Sequence, residues 1–212
     1  MDKKEILNNY SKPEDKLLIA KMIDKNEMSC AKNKIEYTDF LDEYQQNLLI
    51  KIIHKEKMLY YILNGGIEDA QRKIILFYPS KLSDIAKDNY NKLLPIKCIR
   101  IVLPKELHNK YNHRDYLGAL IKLGIKREKI GDILVFEDGA DILILDEVKK
   151  FIKENISQLT RFSKSKIEEI SLEEIREKQI NTKEIRAIVS SMRVDSIVSE
   201  LAKRRKLFHL PR

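Results

Sequence analysis

Residues 131–147, GDILVFEDGADILILDE, constrain the fold of this chain more than any other stretch. Two apolar, β-rich runs flank Asp138-Gly139, a dipeptide that enters a tight turn with little strain. A lone hairpin is marginal in water, so this one must add strands or cover its apolar face with helices. The neighbouring sequence offers both. KIILFYP (73–79) and KCIRIVLP (97–104) are short, rich in β-branched residues and ended by proline, as strands are. HRDYLGALIKLGI (113–125) has helical spacing and closes on Gly124. DEVKKFIKENI (146–156) gives a second helix with Asp146 as the expected cap. Strand, strand, helix, strand, strand, helix outlines a small α/β sandwich on a largely antiparallel sheet, and the fold class is α+β.

Upstream the texture is helical. Pro13 suits the first turn of DKLLIAKMIDK. From Tyr37 a longer pattern places Phe40, Tyr44, Leu48 and Ile52 on one stripe, with Thr38 or Asp39 as cap and Asn64-Gly65-Gly66 as the stop. FSKSKIEEISLEEIREKQINTKE (162–184) is poor in large apolar residues and reads as a linker. The expected organisation is a helical region over 1–70, a middle domain over 71–162, a linker over 163–182 and a C-terminal piece over 183–212.

No apolar run is long enough to cross a bilayer, and the charged N-terminus MDKKEILNNYSKPEDK lacks a secretory apolar core, so a cytoplasmic protein is expected. Cys30 and Cys98 show no metal spacing and read as small hydrophobes. His108 and His113 lie in a loop-like stretch, where surface or capping roles suit them better than ligation. No cofactor is implied.

The charge is uneven. Thr182 to Arg212 hold eight bases against three acids, five of the chain's net +8. Clustered excess of this kind favours polyanion contact. In SSMRVDSIVSELAKRR, Asp195 has no second catalytic group nearby and fits a helix start, accepting backbone N–H bonds. Val194, Ile197, Val198 and Leu201 would form its buried stripe. Arg193, Lys203, Arg204, Arg205 and Lys206 would face solvent or phosphate. Lys126, Arg127 and Lys129, between a helix end and a strand start, form a second basic candidate. The nearest strand to an RRM signature, GDILVFED, offers only Phe136, short of the pattern with which an RRM stacks bases.

LGIKREKIGDILVFEDGADILI (123–144) resembles the central signature of the bacterial YlmH-type proteins. FLDEYQQ (40–46), NGGIEDAQRKIILFYP (64–79) and IVSSMRVDSIVSE (188–200) are similar to further stretches of that family, in the same order. The resemblance implies an N-terminal helical region, an RRM-like (ferredoxin-like) α/β sandwich and a C-terminal S4 RNA-binding domain. Here MRVDSIVSE matches an S4 opening, but LAKRRKLFHLPR does not continue the motif, so a truncated S4 domain is expected. The family is described as ribosome-associated, with links to rescue of stalled large subunits and to a cell-division gene neighbourhood. The implied function is non-catalytic binding of ribosomal RNA or tRNA on the large subunit, in ribosome-associated quality control, alongside division or rescue proteins and without membrane insertion. Two alternatives stay open: a protein-interaction scaffold linked to cell division, and a pseudouridine-synthase-like RNA modification centred on Asp195.

Overall fold

The computed structural model describes residues 2–159, 161–177, 191 and 193–207, without the side chains of Ser157 and of residues 201–207. Residues 1–177 and 178–212 are two compact units. The first opens with α1 (Lys3–Asn8) and α2 (Pro13–Lys32), with Pro13 at the first helical position as expected. Then come β1 (Glu36–Tyr37), α3 (Glu43–Lys55), β2 (Tyr61–Asn64), β3 (Ile74–Phe77) and α4 (Ser83–Asp88). β4 (Ile96–Val102), α5 (His113–Lys122), β5 (Ile130–Phe136), β6 (Gly139–Leu145), α6 (Asp146–Asn155) and β7 (Lys166–Ile170) complete this unit. The second unit contributes α7 (Val194–Leu207).

Two antiparallel sheets form, ordered β1-β3-β2 and β5-β6-β4-β7. From β4 onward the chain runs β-α-β-β-α-β, and this strand order is the ferredoxin-like one. The predicted sandwich is present, but one of its strands is exchanged. Residues 73–79 supply β3 to the other sheet, pairing with β1 and β2. The fourth strand is β7, inside the stretch expected to be a linker, and it pairs with β4 from Cys98↔Ile170 to Val102↔Lys166. Its sequence KIEEI hides the strand because charges occupy an edge that must not recruit another chain.

The long helix expected from Tyr37 is shorter. Asp42, rather than Thr38 or Asp39, caps α3 through a reciprocal box with Gln45. Thr38 is buried, and its hydroxyl accepts from the Ile75 amide. Lys57 takes φ 53° and the Met58 amide reaches back to the Ile53 carbonyl, which closes the helix before Tyr61 starts a strand. Phe40 lies ahead of α3, buried against Gly131, where a Cβ would meet its ring at 2.8 Å. Asp146 is the first residue of α6, and Leu145 takes the cap position.

One face of the four-stranded sheet packs Ile99, Ile101, Ile142 and Ile144 against α5 and α6 residues such as Tyr116, Leu120 and Ile152. A bulge between Ile130 and Ile133 keeps both on that face. Ile96, Cys98, Leu143 and Leu145, from the other face, pack against Ile74 and Leu76 of β3. β3 is buried throughout because Ile75 and Phe77 pack into the core of α2 and α3.

Candidate nucleic-acid interface

The sheet face on which an RRM would stack bases is covered here. Half of it is the apolar core shared with β3. Over the other half lies the segment after β7, fixed through Asp141. This carboxylate is fully buried and accepts from Arg100 Nε at 2.7 Å and Nη2 at 2.8 Å. It also accepts from the Arg176 amide, Nε and Nη2 at 3.0–3.3 Å. Burial alone would raise its pKa, but the bonds from Arg100 and Arg176 outweigh that and hold it below the usual carboxylate range. The Arg176 guanidinium sits 4.0 Å from the centre of the Phe136 ring. Phe136, the one aromatic that GDILVFED offered for stacking, already carries a cation on its face.

One end of the same sheet is built differently. Val102 is opposite Gly139 on one side and Lys166 on the other, so the loops 103–112, 137–138 and 156–165 meet there. The Leu103 amide donates to Asp138 O and the Asn109 amide to Glu137 O, both at 2.8 Å. Asn109 adopts φ 57°, a left-handed conformation that asparagine tolerates. Tyr111, Tyr116 and Phe162 pack ring to ring at 5.2–6.3 Å and join the first loop to the third. Asn112 caps α5 with Asp115 in a reciprocal box.

On this frame Lys105, Lys110, Arg114 and Lys164 are exposed and have no ion-pair partner among the described residues. Arg161 pairs with Asp115 at 2.6 Å and lies 5.3 Å from the Tyr111 ring centre. Lys166 pairs with Glu168. Of the nearby carboxylates, Asp115 and Asp138 are paired with Arg161 and Arg176, whereas Glu106 and Glu137 are exposed. The result is a surface of loops and the first turn of α5, tied together by hydrogen bonds and packed rings, with four cations outside any ion pair among the described residues, suited to contact phosphates without reading bases.

Of the residues singled out by sequence in the first unit, Lys126, Arg127 and Lys129 lie before β5, away from this end of the sheet. Lys126 is exposed. Arg127 is half-buried and donates to the Ile130 carbonyl at 2.6 Å. Lys129 is held between Asp39 and Glu147, both at 2.5 Å. Burial works against its charge, yet the two carboxylates prevail and its pKa is raised. In the second unit Arg193 is exposed and pairs with Asp195 at 3.1 Å, so Asp195 meets a side chain. Lys203, Arg204, Arg205 and Lys206 fall within α7, and their side chains lie outside the described residues. Val194 and Val198, expected in a buried stripe, are 76% and 56% exposed, since the described part of this unit holds no other element for them to pack on. Sequence reading missed Lys105, Lys110 and Arg114 because they are scattered among acids and amides, and Lys164 because its loop joins this end of the sheet only through the pairing of β7 with β4. No cluster of His, Cys, Asp and Glu suited to a metal occurs among the described residues. No described helix is long and apolar enough to cross a membrane.

Residues 76–176 match the family model described as "Putative RNA-binding domain in YlmH", which ends on Arg176. The chain is 24% identical over 174 residues to "Ribosome-associated protein quality control protein P2" of Bacillus subtilis (strain 168). That match covers 80% of this chain and 63% of the relative, so the chain spans less than two thirds of the relative's length. The solved "Cell division protein ylmH from Streptococcus pneumoniae" superposes with a TM-score of 0.59 at 23% identity, over 79% of this chain and 98% of that one, and shares the fold.

Proposed function

We propose that this chain, which belongs to the YlmH-type family, binds ribosomal RNA or tRNA phosphates through the loop end of its ferredoxin-like domain. The observation that carries the reading is the set of exposed cations Lys105, Lys110 and Lys164 on loops, with Arg114 in the first turn of α5, on a frame tied by hydrogen bonds and packed rings. The mode is binding without catalysis, and the basic residues of α7 add further phosphate contacts. The relative named for ribosome-associated quality control supports the ribosome as the platform, and the large subunit is the part of it that the sequence resemblance implies. Four phosphate contacts on RNA single strands give a log-affinity versus log-salt slope of about −3.

Co-sedimentation with purified large ribosomal subunits tests this. The chain should pellet at low salt and be released at high salt, and a variant with Lys105, Lys110, Arg114 and Lys164 changed to Glu should stay in the supernatant at both. Equal pelleting of the two chains would contradict the reading. Exposed Leu59 (75%) and Tyr60 favour a second one, a protein-interaction scaffold linked to cell division. An apolar interface of that kind would persist at high salt.

A further inference from the structure

Arg72 and Arg127 line one cavity of about 720 Å³ between the start of α3, the turn before β3 and the turn before β5. Three segments far apart in sequence supply its polar walls: Asp42 and Gln46, then Gln71 and Arg72, then Arg127. Both guanidiniums are half-buried. Arg72 donates to Phe40 O at 2.7 Å and Ile130 O at 3.2 Å, and Arg127 donates to the same Ile130 O at 2.6 Å. Neither has a carboxylate within ion-pair distance among the described residues. Asp132, a carboxylate that pulls on both arginines, instead accepts from the Gln71 and Arg72 amides at 2.6 and 3.1 Å.

Two half-buried cations that donate to one carbonyl repel each other, and neither forms an ion pair with a carboxylate among the described residues. Burial lowers the pKa of both, and Arg72 lowers that of Arg127 further, against the opposing pull of Asp42, Asp132 and Glu128. An anion placed between them turns this repulsion into bridging, and a guanidinium fork matches phosphate oxygens in shape. Asp42, Glu43 and Asp69 also line the cavity, and Asp42 offsets part of the Arg72 charge, but all three carboxylates are exposed, whereas the two arginines are half-buried and Lys73 adds a third cation to the lining. We propose that this cavity is an oxyanion site that takes one phosphate group between Arg72 and Arg127. The site stands apart from the loop end and does not depend on RNA binding there.

Thermal unfolding of the full chain, with inorganic phosphate against chloride at matched ionic strength, tests the proposal directly. Phosphate should raise the melting temperature of the wild type and do so more weakly in Arg127→Gln, with apparent affinity reduced about tenfold. Because Arg127→Gln also removes a bond to Ile130, Glu43→Gln serves as the second variant. It deletes an exposed repelling charge, and phosphate should stabilise it more than the wild type. Stabilisation by phosphate no greater than by chloride would overturn the proposal, as would equal phosphate effects in wild type and Arg127→Gln. An RNA oligomer carrying a 5′-phosphate and its 5′-hydroxyl twin identify the source. Tighter binding of the first, lost in Arg127→Gln, assigns an RNA end, and equal binding assigns free phosphate. Retained RNA binding by Arg127→Gln, with phosphate stabilisation lost, separates this site from the loop end.

Discussion

Replacing Asp141 should unfasten the segment after β7 from the sheet. The carboxylate has no exposed surface and receives five hydrogen bonds, four from two guanidiniums and one from a backbone amide. Truncating one partner of a buried ion pair typically costs about 3–5 kcal/mol. Arg100 and Arg176 keep side-chain exposures of 19% and 28%, so water recovers part of that and Asp141→Ala should cost about 2–3 kcal/mol. Asp141→Asn keeps the shape and loses the charge, for about 1–2 kcal/mol. Urea unfolding at neutral pH, followed by circular dichroism, measures both. Amide exchange should quicken in 171–177 of Asp141→Asn while β4 and β6 stay protected. The difference between wild type and Asp141→Asn also has a defined pH dependence. A folded pKa below the unfolded value, about 3.9, gives stabilisation that is complete above that value and is lost as pH falls through the folded one. The gap should be flat from about pH 5 to pH 7 and close in stronger acid. An Asp141→Ala variant within about 0.5 kcal/mol of wild type would refute the reasoning.

Gly139→Ala should destabilise by about 3 kcal/mol or more in the same urea assay, because φ is 152° and the new Cβ would stand 1.8 Å from the Ile101 carbonyl oxygen. A thiol reagent should titrate one cysteine in the native chain and two in denaturant. Cys30 is exposed, while Cys98 is fully buried and its thiol is pushed up to about 12 by burial and then by Asp141. Lys129→Met should lower stability by about 1 kcal/mol through its half-exposed pairs with Asp39 and Glu147, and leave RNA affinity in a filter-binding assay unchanged.

The parts of this fold that rest on local chemistry were legible in the sequence. Asp138-Gly139 marked the hairpin, Gly124 the end of α5 with φ +90°, and Pro13 the start of α2. What stayed hidden depends on partners distant in sequence. Tyr61–Asn64 continues a helical apolar pattern, and it becomes a strand only because Lys57 breaks the helix and β3 lies alongside. Lys166–Ile170 has the charge of a linker and the register of an edge strand. Lys164 joins the loop end through that register, since the pairing of Val102 with Lys166 brings the loop before β7 to the loop after β4. The pairing of Lys129 stayed hidden for the same reason: its carboxylate partners lie 90 residues before it, at Asp39, and in α6, at Glu147.

Affinity for a single-stranded RNA oligomer, measured from about 50 to about 200 mM salt, tests the central claim most directly. The account predicts that changing Lys105, Lys110 and Arg114 to Glu weakens binding and flattens the log-affinity versus log-salt slope by about 2, at about 0.7 per lost contact. A slope and affinity equal to those of the wild type would place RNA contact elsewhere on the chain and contradict the account.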